Sequence, residues 1–134
     1  MGTQISAQDV FELSQAFHNL SVALGNFRYA NWNELTPEQR IDLESKQWTL
    51  FNTSSDLNAK SVVLKVELIE AQLQVLRSCT VGMKASAEKI SDIKHAIGIA
   101  AKAVAFGGTI YLAASTGDIG TMLAAATSLT QEMT

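Results

Sequence analysis

The sequence contains one proline, one cysteine and little positive charge, and each shortage excludes a class of protein. One proline and 8 glycines in 134 residues leave few local obstacles to long helices. A single cysteine, Cys79, cannot form an internal disulfide, so nothing in the fold requires an oxidising compartment. The net charge of -3 provides no basic surface for a phosphate backbone, so we expect no nucleic-acid partner.

The beginning of the chain also lacks the pattern of a signal peptide. No basic stretch precedes an apolar run, and Asp9 and Glu12 fall where the apolar region of a signal peptide would be. We therefore expect a cytoplasmic protein, while export by a signal-independent route stays open.

Length and composition indicate one packed domain. Residues 1–134 match the usual size of a single domain, and 47% hydrophobic against 17% charged residues excludes a disordered chain. We expect an all-α fold of about three to five helices, arranged as a helical bundle or hairpin.

The first two helices have recognisable starts. Ser6 followed by Asp9 is typical of an N-cap with an acid in the first turn. Thr36 followed by Gln39 has the spacing of a capping box. The polar run 52–56 predicts a turn or a new helix N-terminus. The first helix carries one apolar stripe at spacings of three and four, made of Val10, Leu13, Phe17, Leu20, Leu24 and Phe27.

The third segment has the most regular pattern in the sequence. Its mainly apolar positions alternate spacings of four and three, which predicts one long, coiled-coil-like helix over residues 56–106. Gly82 is a place where that helix could bend. The positions are Val62, Val66, Ile69, Leu73, Leu76, Thr80, Met83, Ala87, Ile90, Lys94, Ile97, Ala101 and Val104.

The last third of the chain is rich in small residues. Between Ala96 and Ala114 the only charged residue is Lys102, and residues 115–118 have the composition of a turn that caps a last helix. We expect an apolar helical hairpin over residues 96–134, as a sub-unit of the single domain.

This hairpin also raises a membrane alternative. Its first arm approaches the ~30 Å thickness of a bilayer core, although Lys102 would cost about 2.5–3.5 kcal/mol at its centre. A long amphipathic helix before an apolar hairpin resembles helical pore-forming proteins in architecture, over about residues 60–130 and without a shared motif. In this alternative the apolar hairpin over residues 96–129 inserts into lipid through Ile97, Val104, Phe106, Ile110, Leu112, Ile119, Met122 and Leu123.

Residues suited to catalysis or metal binding are few. On one continuous helix Cys79 and His95 would lie about 160° apart. Asp92 and His95 have the spacing of helix-borne metal sites, but His18 has no acid at the matching position. We therefore expect no enzyme activity, no cofactor and no metal site. Four aromatic residues are predicted to seal the bundle end, with a small ligand pocket as the alternative: Tyr29, Trp32, Trp48 and Phe51.

The remaining hypothesis is a non-enzymatic interaction or assembly protein. An apolar stripe as long as that of the third segment needs covering, and self-association is the simplest way to cover it. We predict a homo-oligomer or a complex with a protein partner, and a membrane-active protein is the second choice. The predicted interface is Val66, Ile69, Leu73, Leu76, Met83, Ile90 and Ile97.

Overall fold

The structure is a computed structural model that describes residues 2–60 and 66–134. Within these ranges two short strands, β1 (Thr3–Gln4) and β2 (Glu67–Leu68), pair antiparallel. A 3-10 turn, Trp32–Glu34, joins the first two helices. The all-α bundle is confirmed, with helices α1 (Ala7–Ala30), α2 (Pro37–Lys60), α3 (Glu70–Ala87), α4 (Ile93–Thr116) and α5 (Ile119–Met133).

Side chains that bind free backbone N–H groups determine where α1 and α2 begin. The amide of Asp9 donates to Ser6 Oγ at 3.1 Å, and the Asp9 carboxylate accepts from the Ser6 amide in return. At α2 the Gln39 amide donates to Thr36 Oγ1 at 3.1 Å, and the Thr36 amide donates to Gln39 Oε1 at 2.9 Å. Both predicted helix starts are confirmed.

The C-terminal hairpin is confirmed as well. Helix α4 ends at Gly117, whose φ of 80° lies in the left-handed region that favours glycine. Asp118 then accepts a hydrogen bond from the Thr121 amide at 3.1 Å and begins α5. Because the turn is this short, α4 and α5 pack side by side.

The prediction of a turn or helix start over residues 52–56 is wrong, because α2 continues through them to Lys60. The hydroxyl groups there bind backbone carbonyls and do not end the helix. Thr53 donates to the Thr49 carbonyl one turn back, and Ser54 donates across to the Ser14 carbonyl of α1 at 2.8 Å.

The prediction of a single long helix over residues 56–106 is also wrong. Helix α3 ends at Ala87, and Asp92 begins α4 by accepting from the His95 amide at 2.8 Å. Position 62 of the predicted stripe lies outside the described residues. After the break the buried side of α4 is Ala96, Ala100 and Ala103, one residue earlier than the predicted Ile97, Ala101 and Val104. The four-and-three spacing continues in the sequence past the break because α4 is apolar on nearly every side, so almost any spacing would find apolar residues there.

Helix α1 lies at the centre of the bundle and contacts α2, α3 and α4. Phe17 is fully buried and stacks on Phe106 of α4, with ring centroids 5.8 Å apart. The predicted stripe of α1 is confirmed as core, because its first five positions are buried and Phe27 is partly buried against them.

A buried polar seam joins α1 to α2. Ser14 and Ser54 exchange hydroxyl-to-carbonyl hydrogen bonds, both at 2.8 Å. About two turns further along α1, Ser21 donates to the Gln47 carbonyl, and about four turns further Arg28 pairs with Glu44 at 3.1 Å. Buried polar groups are costly unless they are paired, so this seam fixes the register of the two antiparallel helices.

Two ion pairs join α1 to α3. The Arg77 guanidinium donates to both carboxylate oxygens of Asp9, at 2.9 and 3.1 Å, and Lys84 pairs with Glu12. The hydrogen bond and charge of Arg77 lower the pKa of Asp9 below its usual 3.8. A carboxyl with a lower pKa in the folded state stabilises the fold above pH 3.8 and loses that contribution as the pH falls through the folded-state pKa.

We therefore expect Asp9→Asn to lower the free energy of unfolding by about 1 kcal/mol at neutral pH, and by progressively less below pH 3.8. Urea unfolding at a series of pH values measures the difference. Glu38→Gln, in the first turn of α2, is the control for the helix dipole alone. An equal effect of Asp9→Asn at neutral and strongly acid pH would contradict the assignment.

Candidate interaction surface

The exposed apolar side chains concentrate on the α1–α2 hairpin. In the part of the chain that the structure describes, ten large hydrophobic residues are exposed. Only Ile69, Val81 and Leu112 lie elsewhere. The seven on the hairpin are Phe11, Val22, Tyr29, Trp32, Ile41, Trp48 and Phe51.

Helical spacing places most of them on one side of the hairpin. Along α1 the positions 11, 18, 22 and 29 are separated by seven, four and seven residues, so they share a helix face. Along α2 the positions 41, 48 and 51 are separated by seven and three. We call this surface the outer face: Phe11, His18, Val22 and Tyr29 of α1, with Ile41, Trp48 and Phe51 of α2.

A ring contact crosses the outer face from α1 to α2, and a second one lies within α2. The centroids of His18 and Phe51 are 6.1 Å apart, and Trp48 meets Phe51 edge-on at 5.6 Å. Next to them, at the end of the hairpin away from the turn, lies a cavity of about 340 Å³ between Phe11, Gln15 and Ser55. The surface therefore has a hollow at this end.

At the turn end an aromatic group projects outward. Tyr29 is 74% exposed and stacks on Trp32, with centroids 6.3 Å apart. Two arginines hold Trp32 in place: the Arg40 guanidinium lies 4.6 Å from its ring centroid and donates to its carbonyl at 2.8 Å, and Arg28 lies 5.5 Å away. The four aromatics do not converge, either in the predicted seal of the bundle end or in the alternative ligand pocket, because Tyr29–Trp32 and Trp48–Phe51 are two separate exposed pairs.

The residues of the predicted interface lie mostly inside the bundle. Val66, Leu73, Leu76 and Met83 are between 0 and 6% exposed, and Ile90 and Ile97 pack partly buried against them. Only Ile69 is open to solvent, at 48%. Within one chain α1 and α5 pack against α3 and bury most of these side chains. Whether the protein self-associates stays a prediction.

The residues of the predicted membrane hairpin are divided between core and surface. Phe106, Ile110 and Met122 are fully buried, and Leu112 is 40% exposed. Four are partly buried against the core: Ile97, Val104, Ile119 and Leu123. Over residues 2–60 and 66–134, α4 is the one helix long and apolar enough to cross a membrane. Its most apolar 18-residue stretch has a mean hydropathy of 1.6, and 44% of that stretch is buried in the bundle.

The residues considered for catalysis are held by different parts of the fold. His18 lies on the outer face, and Asp92 caps α4 through the His95 amide. Cys79 is fully buried, and burial raises the pKa of its thiol to about 11, which keeps it protonated at neutral pH. The described residues contain no group of three or more His, Cys, Asp or Glu side chains able to hold a metal ion.

Sequence reasoning missed Phe11, Val22 and Ile41 as surface residues. A signal for them exists, because 11, 18, 22 and 29 form a second stripe one residue after the buried positions Val10, Phe17, Ser21 and Arg28. This second stripe is mainly apolar and the bundle does not cover it, so it forms the α1 part of the outer face.

Comparison of the chain with protein-family models, with curated proteins and with solved structures gives no match. The chemistry of the chain's own surface is thus the basis for assigning a function.

We expect Phe11→Ser to change the free energy of unfolding by less than about 1 kcal/mol, because Phe11 is 46% exposed. Phe17→Ala, on the same helix but fully buried, should cost about 3–5 kcal/mol. Thermal or urea unfolding of the two variants measures the contrast. Equal losses would mean that the outer face belongs to the core of the fold.

Proposed function

We propose that this protein is a non-enzymatic assembly protein that binds another protein through the outer face of its α1–α2 hairpin. The observation that carries the proposal is the concentration of seven of the ten exposed large hydrophobic residues, among those the structure describes, on this one hairpin. Exposed apolar side chains scattered singly are normal, whereas a contiguous group of aromatic residues is typical of an interaction site.

The extent of the patch supports this interpretation. A large aromatic side chain can bury about 150–250 Å². Phe11, Tyr29, Trp48 and Phe51 are 46, 74, 54 and 38% exposed. Their rings alone therefore leave on the order of 400 Å² of aromatic surface in water, within the range of about 300–600 Å² that marks the largest patch on a monomer.

The rigidity of the hairpin supports it further. The polar seam of Ser14, Ser54 and Ser21 fixes how α1 and α2 lie against each other. The side chains on the outer face therefore have defined relative positions before any partner arrives. A preformed arrangement of this kind lowers the entropy lost on binding.

The test replaces Trp48 with the photoreactive residue benzoylphenylalanine in the cells that make the protein. Because Trp48 is 54% exposed and central to the outer face, irradiation should give a covalent protein adduct. The same residue at Leu112, which is 40% exposed on α4, is the control and should give none.

A second change decides whether the adduct depends on the face itself. Phe51→Glu introduces a charge beside position 48, because the rings of Phe51 and Trp48 are 5.6 Å apart in the unmodified chain. It should reduce the adduct about tenfold or more, since a charge buried without a partner is costly in an interface. Equal labelling from positions 48 and 112, or labelling that Phe51→Glu leaves unchanged, would refute the proposal.

A membrane-active protein is the second candidate, and the composition of α4 favours it. Its 24 residues and mean hydropathy of 1.6 are sufficient for a membrane span. Insertion would have to expose Phe106 and Ile110, which are fully buried, so the bundle would have to open first. The candidate therefore requires a trigger that weakens the packing of α4 on α1.

For this candidate the full chain should stay unbound to anionic vesicles at neutral pH and float with them under an acid trigger. A Leu112→Cys variant labelled with an environment-sensitive dye should show a blue shift on flotation, because position 112 would enter lipid. Val81→Cys on α3, 68% exposed, is the matched position and should not shift. Absence of flotation at every pH would remove the membrane candidate.

A further inference from the structure

We propose that the partner of the outer face is a second copy of this chain, joined about a two-fold axis that passes near Val22 and Trp48. The inference rests on the proposed function and names the partner that the surface fits. In such a dimer the α1–α2 hairpins lie face to face and antiparallel, and the four helices form a second, intermolecular bundle.

The area of the outer face matches one side of a stable interface. With Val22 and Ile41 added, 46 and 69% exposed, the apolar surface is on the order of 500 Å². A standard interface buries about 800 Å² on each partner, of which about 65% is apolar in homodimers. The outer face thus provides the apolar area that each half of such a dimer contributes.

The shape of the outer face is complementary to itself. Tyr29, 74% exposed, projects at the turn end, and the cavity of about 340 Å³ beside Gln15 lies at the other end. Both are seven residues from Val22, about 10 Å along the helix in opposite directions. A two-fold axis at Val22 therefore carries Tyr29 of each copy to the cavity of the other.

The second helix has the same symmetry. Trp48 lies seven residues from Ile41 and seven from Ser55, which lines the cavity. The rotation that brings Tyr29 to Gln15 also brings Ile41 to Ser55. The same axis therefore suits both helices of the hairpin. It places Tyr29 and Ile41 of one copy opposite the cavity of the other copy.

The charge distribution also permits contact between identical surfaces. Residues near a two-fold axis meet their own copies, so a formal charge there would face an equal charge. The seven residues of the outer face include no Asp, Glu, Lys or Arg. The nearby Arg28 and Glu44 are already paired with each other at 3.1 Å.

The first experiment tests the axis by cross-linking the purified full chain. Val22→Cys should be joined to its own copy by a short bismaleimide, because the two copies of position 22 lie next to the axis. Val81→Cys, an exposed valine on α3, is the matched control and should give no cross-linked product, because position 81 lies outside the proposed interface. The native Cys79 is fully buried, so the unmodified chain should give no cross-linked product.

The second experiment tests the Tyr29 contact by sedimentation equilibrium. The unmodified chain should sediment as a dimer, and Tyr29→Ala should raise the dimer dissociation constant about tenfold or more, as expected for an aromatic side chain that fills a cavity of the partner. Because Tyr29 is 74% exposed in one chain, Tyr29→Ala should leave the unfolding midpoint of the monomer unchanged.

The outcomes separate this inference from the proposed function. A chain that stays monomeric at every concentration, with position 48 still labelling a different protein in cells, overturns the dimer and leaves the proposed function standing. A dimer that cross-links equally through positions 22 and 81, or that Tyr29→Ala does not weaken, also overturns the two-fold arrangement. Failure of the cellular labelling at position 48 together with a monomeric chain overturns both.

Discussion

Phe17 of α1 lies fully buried against Phe106 of α4, with the two rings stacked 5.8 Å apart. Around this contact α1 packs on α2, α3 and α4, while α2 also packs on α4 and α3 packs on α5. The contact anchors the apolar C-terminal hairpin to the N-terminal half of the chain. A segment apolar enough to enter lipid is thereby part of a core, because dispersion and hydrophobic contacts with α1, α2 and α5 replace those that lipid would make.

Because the bundle packs against one side of α1, the apolar side chains on the opposite side of that helix stay exposed. Core positions such as Val10 and Phe17 face the bundle, and the polar seam of Ser14 and Ser54 faces α2. The next sector of the helix, with Phe11 and Val22, has no further element to cover it among the described residues. The exposed outer face follows from an apolar sector on α1 that is broader than the bundle can bury.

The polar seam and the outer face have complementary roles. Reciprocal serine hydrogen bonds and the Arg28–Glu44 pair hold α1 and α2 in a fixed register without adding apolar bulk. In that register the rings of His18, Phe51 and Trp48 meet across the groove. The same hydrogen bonds that specify the fold therefore also specify the geometry of the surface offered to a partner.

Local chemistry in the sequence determined the helix starts and the core of α1. Ser6, Thr36 and Asp118 bind the free amides of their own helices, so each start depends on residues three positions apart. The stripe from Val10 to Phe27 repeats within one helix, and periodicity alone identifies its buried side.

The tertiary structure alone decided which side of α4 is buried and which helices pack against the stripe of the third segment. Ala96 and Ala101 are the same residue type in equally apolar surroundings, yet Ala96 is buried and Ala101 is exposed. The difference arises because the neighbouring helices cover only one side of α4. The physical reason is that the hydrophobic effect has no direction: a pattern of apolar residues shows that surface must be covered, and only the packed fold shows by what.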